Sequence, residues 1–198
     1  MSVFWELMGY ALLAVFAENL VLMEGIGTSR VLRAARKPKQ LLPYAGLICL
    51  FSLCTALITR QLDPWIASWP RPELYRPLAY AVCAAGLYLA AVLLLKAFRR
   101  EWFQKLEDIL PSASLNCIVI ALPYLAGARD LDLGHVVALS LGAGVGFALA
   151  AWLAAEGIRR IDNKRMAKAF LGLPALFLYL GILSLALMGL GGKGGLPA

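Results

Sequence analysis

The sequence predicts an all-α, polytopic membrane protein with six transmembrane helices, arranged as two inverted three-helix repeats in which helices 1 and 4 are interrupted. Three observations predict it: an extremely apolar composition, evenly spaced runs free of charge, and a half-length offset that superimposes one set of runs on the other. Of the 198 residues, 61% are hydrophobic and 16% charged, with a mean hydropathy of +0.75. A soluble domain carries roughly 45–50% apolar and about 25% charged residues. An ordinary globular domain, a disordered tail and a small disulfide-stapled domain are therefore excluded.

A helix needs ~20 mostly apolar residues to cross ~30 Å of hydrocarbon. Runs without Asp, Glu, Lys or Arg extend over Leu41–Thr59, Pro77–Leu95, Ile109–Ala128, Leu133–Ala155 and Ala169–Gly192. A first span, Val3–Met23, contains Glu6 and Glu18. Met1–Glu6 lacks a basic n-region and no A-x-A site follows, so a retained helix is expected there rather than a cleaved signal. The joint between spans 2 and 3, with Pro64, Trp65, Trp69, Pro70 and Pro72, predicts an interfacial turn of about fifteen residues anchored by aromatic rings. The tail Gly191–Gly195 is expected to fray. Six spans consume nearly the whole chain, so a catalytic head or nucleotide site is expected on a partner.

The net charge of +7 is read as topology, not as a nucleic-acid surface. Arg30, Arg33, Arg36, Lys37 and Lys39 follow span 1; Lys96, Arg99, Arg100 and Lys105 follow span 3; Arg159, Arg160, Lys164, Arg165 and Lys168 follow span 5. The other joints and the tail hold Arg60, Arg71, Arg76, Arg129 and Lys193. Fourteen against five of the 19 basic residues predict that the first set faces the cytoplasm and that both termini lie outside it.

Asn19-Leu-Val-Leu in span 1 resembles Asn116-Cys-Ile-Val in span 4, at an offset of 97 residues. The same offset carries span 2 onto span 5 and span 3 onto span 6. A unit of three spans has an odd number of crossings, so its repeat enters the membrane inverted. This places repeat boundaries at 1–100 and 101–198. Span 1 carries Glu18, Asn19, Glu24, Gly25 and Gly27, and span 4 carries Pro111, Ser112, Ser114, Asn116, Cys117 and Pro123. Such polar groups and helix breakers are costly against lipid and are expected to face protein or a cavity. At ~1.5 Å per residue, Asn19 lies ~24 Å from the outer surface and Asn116 ~10 Å from the inner one. Both then fall in the cytoplasmic half of the membrane, where the two breaks can meet.

The candidate ion or helix-break residues are Glu18, Asn19, Glu24 and Asn116. A carboxylate inside a span is by default a site hypothesis. Glu24 is alternatively read as pairing with Arg30 or Arg33 at the cytoplasmic end, and Glu18 as a structural, hydrogen-bonded group. Cys49, Cys54 and Cys83 lie in plain apolar runs and read as small buried thiols, whereas Cys117 follows Asn116 on an interrupted helix. No C-x-x-C pair is present. His135, alone of its kind, cannot build a metal cage and reads as a surface or interface residue. Ala138, Gly142, Gly146, Ala150 and Ala154 recur every fourth residue, a stripe that lets another helix approach closely. No Walker motif, catalytic triad or paired hydrolytic carboxylates are found, and no catalytic residue is assigned.

Several segments resemble one family. Asn19-Leu-Val-Leu followed by Gly25-Ile-Gly27 is similar to the first-helix motif of the Rnf/Nqr membrane subunits (RnfA/RnfE and NqrD/NqrE). Leu110-Pro-Ser-Ala-Ser-Leu-Asn-Cys117 resembles their fourth-helix segment. Gly144-Val-Gly-Phe147 through Arg160 resembles their fifth helix with its basic end, and Leu183–Gly189 their closing segment. The termini-out orientation is similar to the RnfA/NqrE side.

The resemblance implies a non-catalytic subunit of an ion-translocating oxidoreductase in the bacterial inner (cytoplasmic) membrane. It implies a homologous six-helix partner of opposite orientation, or a second copy, and further Rnf/Nqr-type subunits. It also implies intramembrane electron transfer near a [2Fe–2S] cluster shared between partners, each giving two cysteines from its two interrupted helices. Cys117 matches the fourth-helix ligand. In the first helix the family has Gly-x-Cys-Pro and this chain has Gly27-Thr28-Ser29-Arg30. Ser29 thus stands at the usual second cysteine position, and Glu18 replaces the first Asn of a usual pair. A serine hydroxyl is harder and far less acidic than a thiol, and a poor iron ligand beside one. The alternative expectation is a redox-silent paralogue that moves an ion or small solute by way of Glu18 and Glu24.

Overall fold

The computed structural model describes residues 2–16, 19–37, 40–98, 100–161 and 172–191, and among them finds helices and turns and no strand. In chain order these are α1 (Ser2–Phe16), α2 (Thr28–Ala35), α3 (Leu41–Ala67), α4 (Pro72–Phe98), α5 (Arg100–Leu106), α6 (Leu110–Ser114), α7 (Cys117–Ala128), α8 (Leu133–Ile161) and α9 (Leu173–Gly191). Four segments are long and apolar enough to cross a membrane: Leu41–Ala67, Pro72–Phe98, Leu110–Ala128 (α6 with α7) and Leu133–Arg160. Phe4–Phe16 and Leu173–Gly189 are shorter apolar helices. Glu18, the outer residues of the glycine-rich tail, and Lys39, Arg99, Lys164, Arg165, Lys168 and Lys193 of the charge pattern lie outside the described residues.

α3 and α8 cross at the centre of the molecule. α1 and α2 pack on α8, α6 and α7 on α3, α4 on α3 and α7, and α9 on α8. The crossing is close because α8 presents small residues on two sides. A Cβ added at Gly144 would lie 2.8 Å from Cys49 Cβ on α3, and one at Gly142 would lie 2.6 Å from Ala14 Cβ on α1. All five residues of the every-fourth-residue stripe are buried. Phe147, on α8, is fully buried and stacks on Tyr44 of α3 with ring centroids 5.1 Å apart. Leu50, Val82, Leu89, Leu93, Ile182 and Leu185 point outward instead, the inverse of a water-soluble surface.

The joint between spans 2 and 3 is much shorter than the expected fifteen-residue turn. α3 continues through Pro64 to Ala67, and only Ser68–Arg71 separate it from α4. The charged residues that follow the charge-free run Leu41–Thr59 are satisfied inside the helical structure. Arg60 Nη1 donates to the Leu131 carbonyl at 2.6 Å, and Asp63 Oδ1 accepts from the Tyr80 hydroxyl at 2.7 Å. The turn closes with Arg71 in the left-handed region at φ 62°. Pro72 then opens α4, a position where its missing N–H has no helical partner to lose.

Candidate functional site

The predicted interruptions are real breaks in the helical path. Between α1 and α2 the chain runs through turns over 19–27, with Gly25 at φ 68° and Gly27 at φ 81°. Between α6 and α7, Asn116 is extended at φ −95°, ψ 141°.

Asn19 organises the first break from a nearly inaccessible position, 1% exposed. Its Nδ2 donates to the Val15 carbonyl at 2.8 Å, closing the end of α1, and to the Gly146 carbonyl of α8 at 3.0 Å. Its Oδ1 accepts from the backbone N–H groups of Val21 and Leu22 at 3.0 and 3.2 Å. Both donors and the acceptor are in use, as a buried amide requires. α9 supplies a further link, with Ser184 Oγ donating to the Leu22 carbonyl at 2.7 Å. At the second break, Asn116 Oδ1 accepts from the Ile118 N–H at 3.4 Å and caps α7. Tyr44 donates to the Ser112 carbonyl at 2.7 Å.

The two breaks touch through Gly27. A Cβ there would lie 3.0 Å from both Asn116 Oδ1 and Ile118 Cδ1. Arg30 Nη1 adds a polar link, donating to Ser112 Oγ at 3.2 Å. The structure therefore brings Asn116 to the first break. Asn19 is bonded to α8 and not to Asn116. Gly27 and Ser112 are the contact residues that the asparagine pair alone did not single out; the left-handed turn implied by Gly25-Ile-Gly27 was the available signal. Asn116 Nδ2 is buried with no hydrogen-bond partner among the described residues.

Glu24 is exposed on the first break and forms no ion pair with Arg30 or Arg33. It lines two cavities of about 410 and 390 Å³, both of which Ser184 also lines. His135 sits on α8 with its ring 4.9 Å from that of Tyr10, edge to face, and its Nε2 3.9 Å from Glu6 Oε1, joining α1 to α8.

Cys117 and Ser29 occupy equivalent places, each exposed in the first turn of a helix that starts at a break. Cys117 is suited to one metal bond, while Ser29 offers no thiolate. Cys49, Cys54 and Cys83 are only half-buried, and they lie along α3 and α4 rather than in either break. No group of three or more His, Cys, Asp or Glu side chains able to hold a metal is found among the described residues. The donors of this chain thus fit a single-thiolate contribution to a shared cluster and do not fit a two-thiolate share.

Residues 7–193 match the family described as "Rnf-Nqr subunit, membrane protein". One relative belongs to the Na(+)-translocating ferredoxin:NAD(+) oxidoreductase complex of Acetobacterium woodii; it is 23% identical over 179 residues, covering 90% of this chain and 93% of that protein. Another belongs to an ion-translocating oxidoreductase complex of Aromatoleum aromaticum and is 25% identical over 187 residues, 92% and 96% of the two chains. A third, from the Na(+)-translocating NADH-quinone reductase of Psychrobacter cryohalolentis, is 25% identical over 190 residues, 90% and 94%. Each of the three is named as one subunit of its complex. With nearly its whole length matched, and with apolar helices of membrane-spanning length, the chain belongs to the Rnf-Nqr family of membrane subunits.

Proposed function

We propose that this chain is a multi-pass membrane subunit of an ion-translocating electron-transport complex of the Rnf/Nqr type. The observation that carries the reading is the contact of two broken helices through Gly27 and Asn116, in a chain related along its length to subunits of such complexes. The six-span arrangement as inverted halves, 1–100 and 101–198, is part of this proposal. Its support is the matched packing: α1 and α2 lie on α8 as α6 and α7 lie on α3, and α4 lies on α3 as α9 lies on α8. A bacterial inner membrane follows from the family resemblance, and the placing of both termini outside the cytoplasm from the basic residues.

In this reading the breaks form a rigid polar centre. Asn19 locks one to α8, Tyr44 and Arg30 lock the other to α3 and α2, and Ser29 and Cys117 in the first turns of α2 and α7 are left exposed. The partner is an oppositely oriented homologue, or a second copy, seated against those turns. A [2Fe–2S] cluster, when bound, supplies one-electron relay between the faces of the membrane. Cys117 is the ligand this chain offers to it, and Ser29 is not one.

Purification of the tagged chain from native membranes tests the assignment. Co-purification of the other oxidoreductase subunits, with iron and acid-labile sulfide that decline in Cys117→Ser, is the expected result. Loss of the iron difference removes the cluster role, and isolation without such subunits removes the complex.

A second reading, a redox-silent paralogue moving an ion or small solute, is favoured by Ser29 and by Glu24 on the wall of two cavities. It predicts ion flux that Glu24→Gln reduces and Cys117→Ser leaves intact. The role of Glu18 in it rests on the sequence alone.

A further inference from the structure

A separate cavity of about 250 Å³ lies where α2 ends and α3 begins, walled by Arg33, Lys37, Gln40, Tyr44, Asp108 and Ser112. Arg33 and Lys37 are four residues apart and both exposed. Like charges on one cavity wall repel, and neither cation has an ion-pair partner among the described residues. Asp108 is the one carboxylate on the wall and leaves a net positive charge. A third cation stands close by, because Arg30 donates to Ser112 Oγ. That hydroxyl keeps its own hydrogen to donate.

The cavity lies at the start of the charge-free run Leu41–Thr59, at the level where a membrane changes from hydrocarbon to headgroup. α2 reaches it with Val31, Ala34 and Ala35 buried and Arg33 and Arg36 exposed. Basic pockets between helices at that level suit lipid phosphates.

We propose that this cavity binds a phosphate-type anion, either the headgroup of a phospholipid or free phosphate, on Arg33 and Lys37. The proposal is independent of the redox reading, since the two cations it rests on, Arg33 and Lys37, lie outside both breaks and it uses neither Cys117 nor Ser29.

The test uses the full chain, stripped of lipid in an uncharged maltoside detergent. It is titrated with short-chain phosphatidylglycerol and, separately, with inorganic phosphate, followed by calorimetry. Saturable binding is expected, weakened about thirtyfold in the double variant Arg33→Gln, Lys37→Gln, if each cation contributes about 1 kcal/mol. Both side chains are exposed, so the variant keeps its fold, which its unfolding temperature checks. The same charge change at Arg159 and Arg160, already paired with Glu156 at 3.8 and 2.8 Å, leaves binding within about twofold. Binding of the lipid alone identifies a headgroup site, and equal competition by inorganic phosphate identifies a free-phosphate site. Absence of saturable binding by either probe overturns the proposal, as does an equal loss in the Arg159 and Arg160 variant.

Discussion

Asn19 replaces the missing helical hydrogen bonds of a broken span with four of its own, and the burial that makes this necessary also makes it hard to substitute. Asn19→Leu leaves the Val21 and Leu22 N–H groups and the Val15 carbonyl without their side-chain partner. A cost of about 1–3 kcal/mol for each buried group left unpaired is expected. A marked fall in the unfolding temperature of the purified protein is the readout. Gly27 is constrained twice, by a positive φ and by lack of room. Gly27→Ala is expected to cost about 1–3 kcal/mol from the backbone conformation alone, before Ile118 has to move. Gly46, with nothing within 4 Å of its missing Cβ, is the control. Gly46→Ala should be neutral or slightly stabilising in the same assay.

At the scale of elements, α8 is the post on which the molecule is built. Its length of 29 residues exceeds a membrane crossing, and its small residues let α1 and α3 approach backbone to backbone. Contacts of that kind hold helices together where lipid offers no hydrophobic driving force. Gly142→Val places a Cβ 2.6 Å from Ala14 Cβ and 3.0 Å from the Ala11 carbonyl oxygen, with two methyl groups still to fit. An overpacking penalty of about 1–3 kcal/mol or more is expected, with loss of monodisperse protein in size-exclusion chromatography. Phe147→Ala, which opens a cavity beside Tyr44, should cost about 3–5 kcal/mol. A loss under ~1 kcal/mol would mean that the α3–α8 crossing is not the main packing interface.

For the whole molecule the orientation in the membrane is directly measurable. In a background with Cys49, Cys54, Cys83 and Cys117 replaced by alanine, Ser68→Cys is expected to react with an impermeant thiol reagent from outside intact cells. Gln104→Cys is expected to react only after permeabilisation. The reverse pattern would invert the topology read from the basic residues while leaving the helical packing untouched.

Residue pattern and tertiary structure answered different questions about this chain. Runs free of Asp, Glu, Lys and Arg showed where four helices long and apolar enough to cross lipid lie, because a charge inside hydrocarbon is costly wherever the helix sits. The Gly25-Ile-Gly27 and Pro111–Asn116 segments showed where helices break, because backbone conformation is a local property. The fourfold stripe of α8 was readable as a packing face for the same reason. What α8 packs against, and that Gly27 rather than Asn19 meets Asn116, depended on how distant segments fold together. So did the absorption of Arg60 and Asp63 into long helices, since each is satisfied by a residue from another element. The pairing of Glu24 was likewise undecidable from spacing, because ion pairs are set by three-dimensional distance and not by separation along the chain.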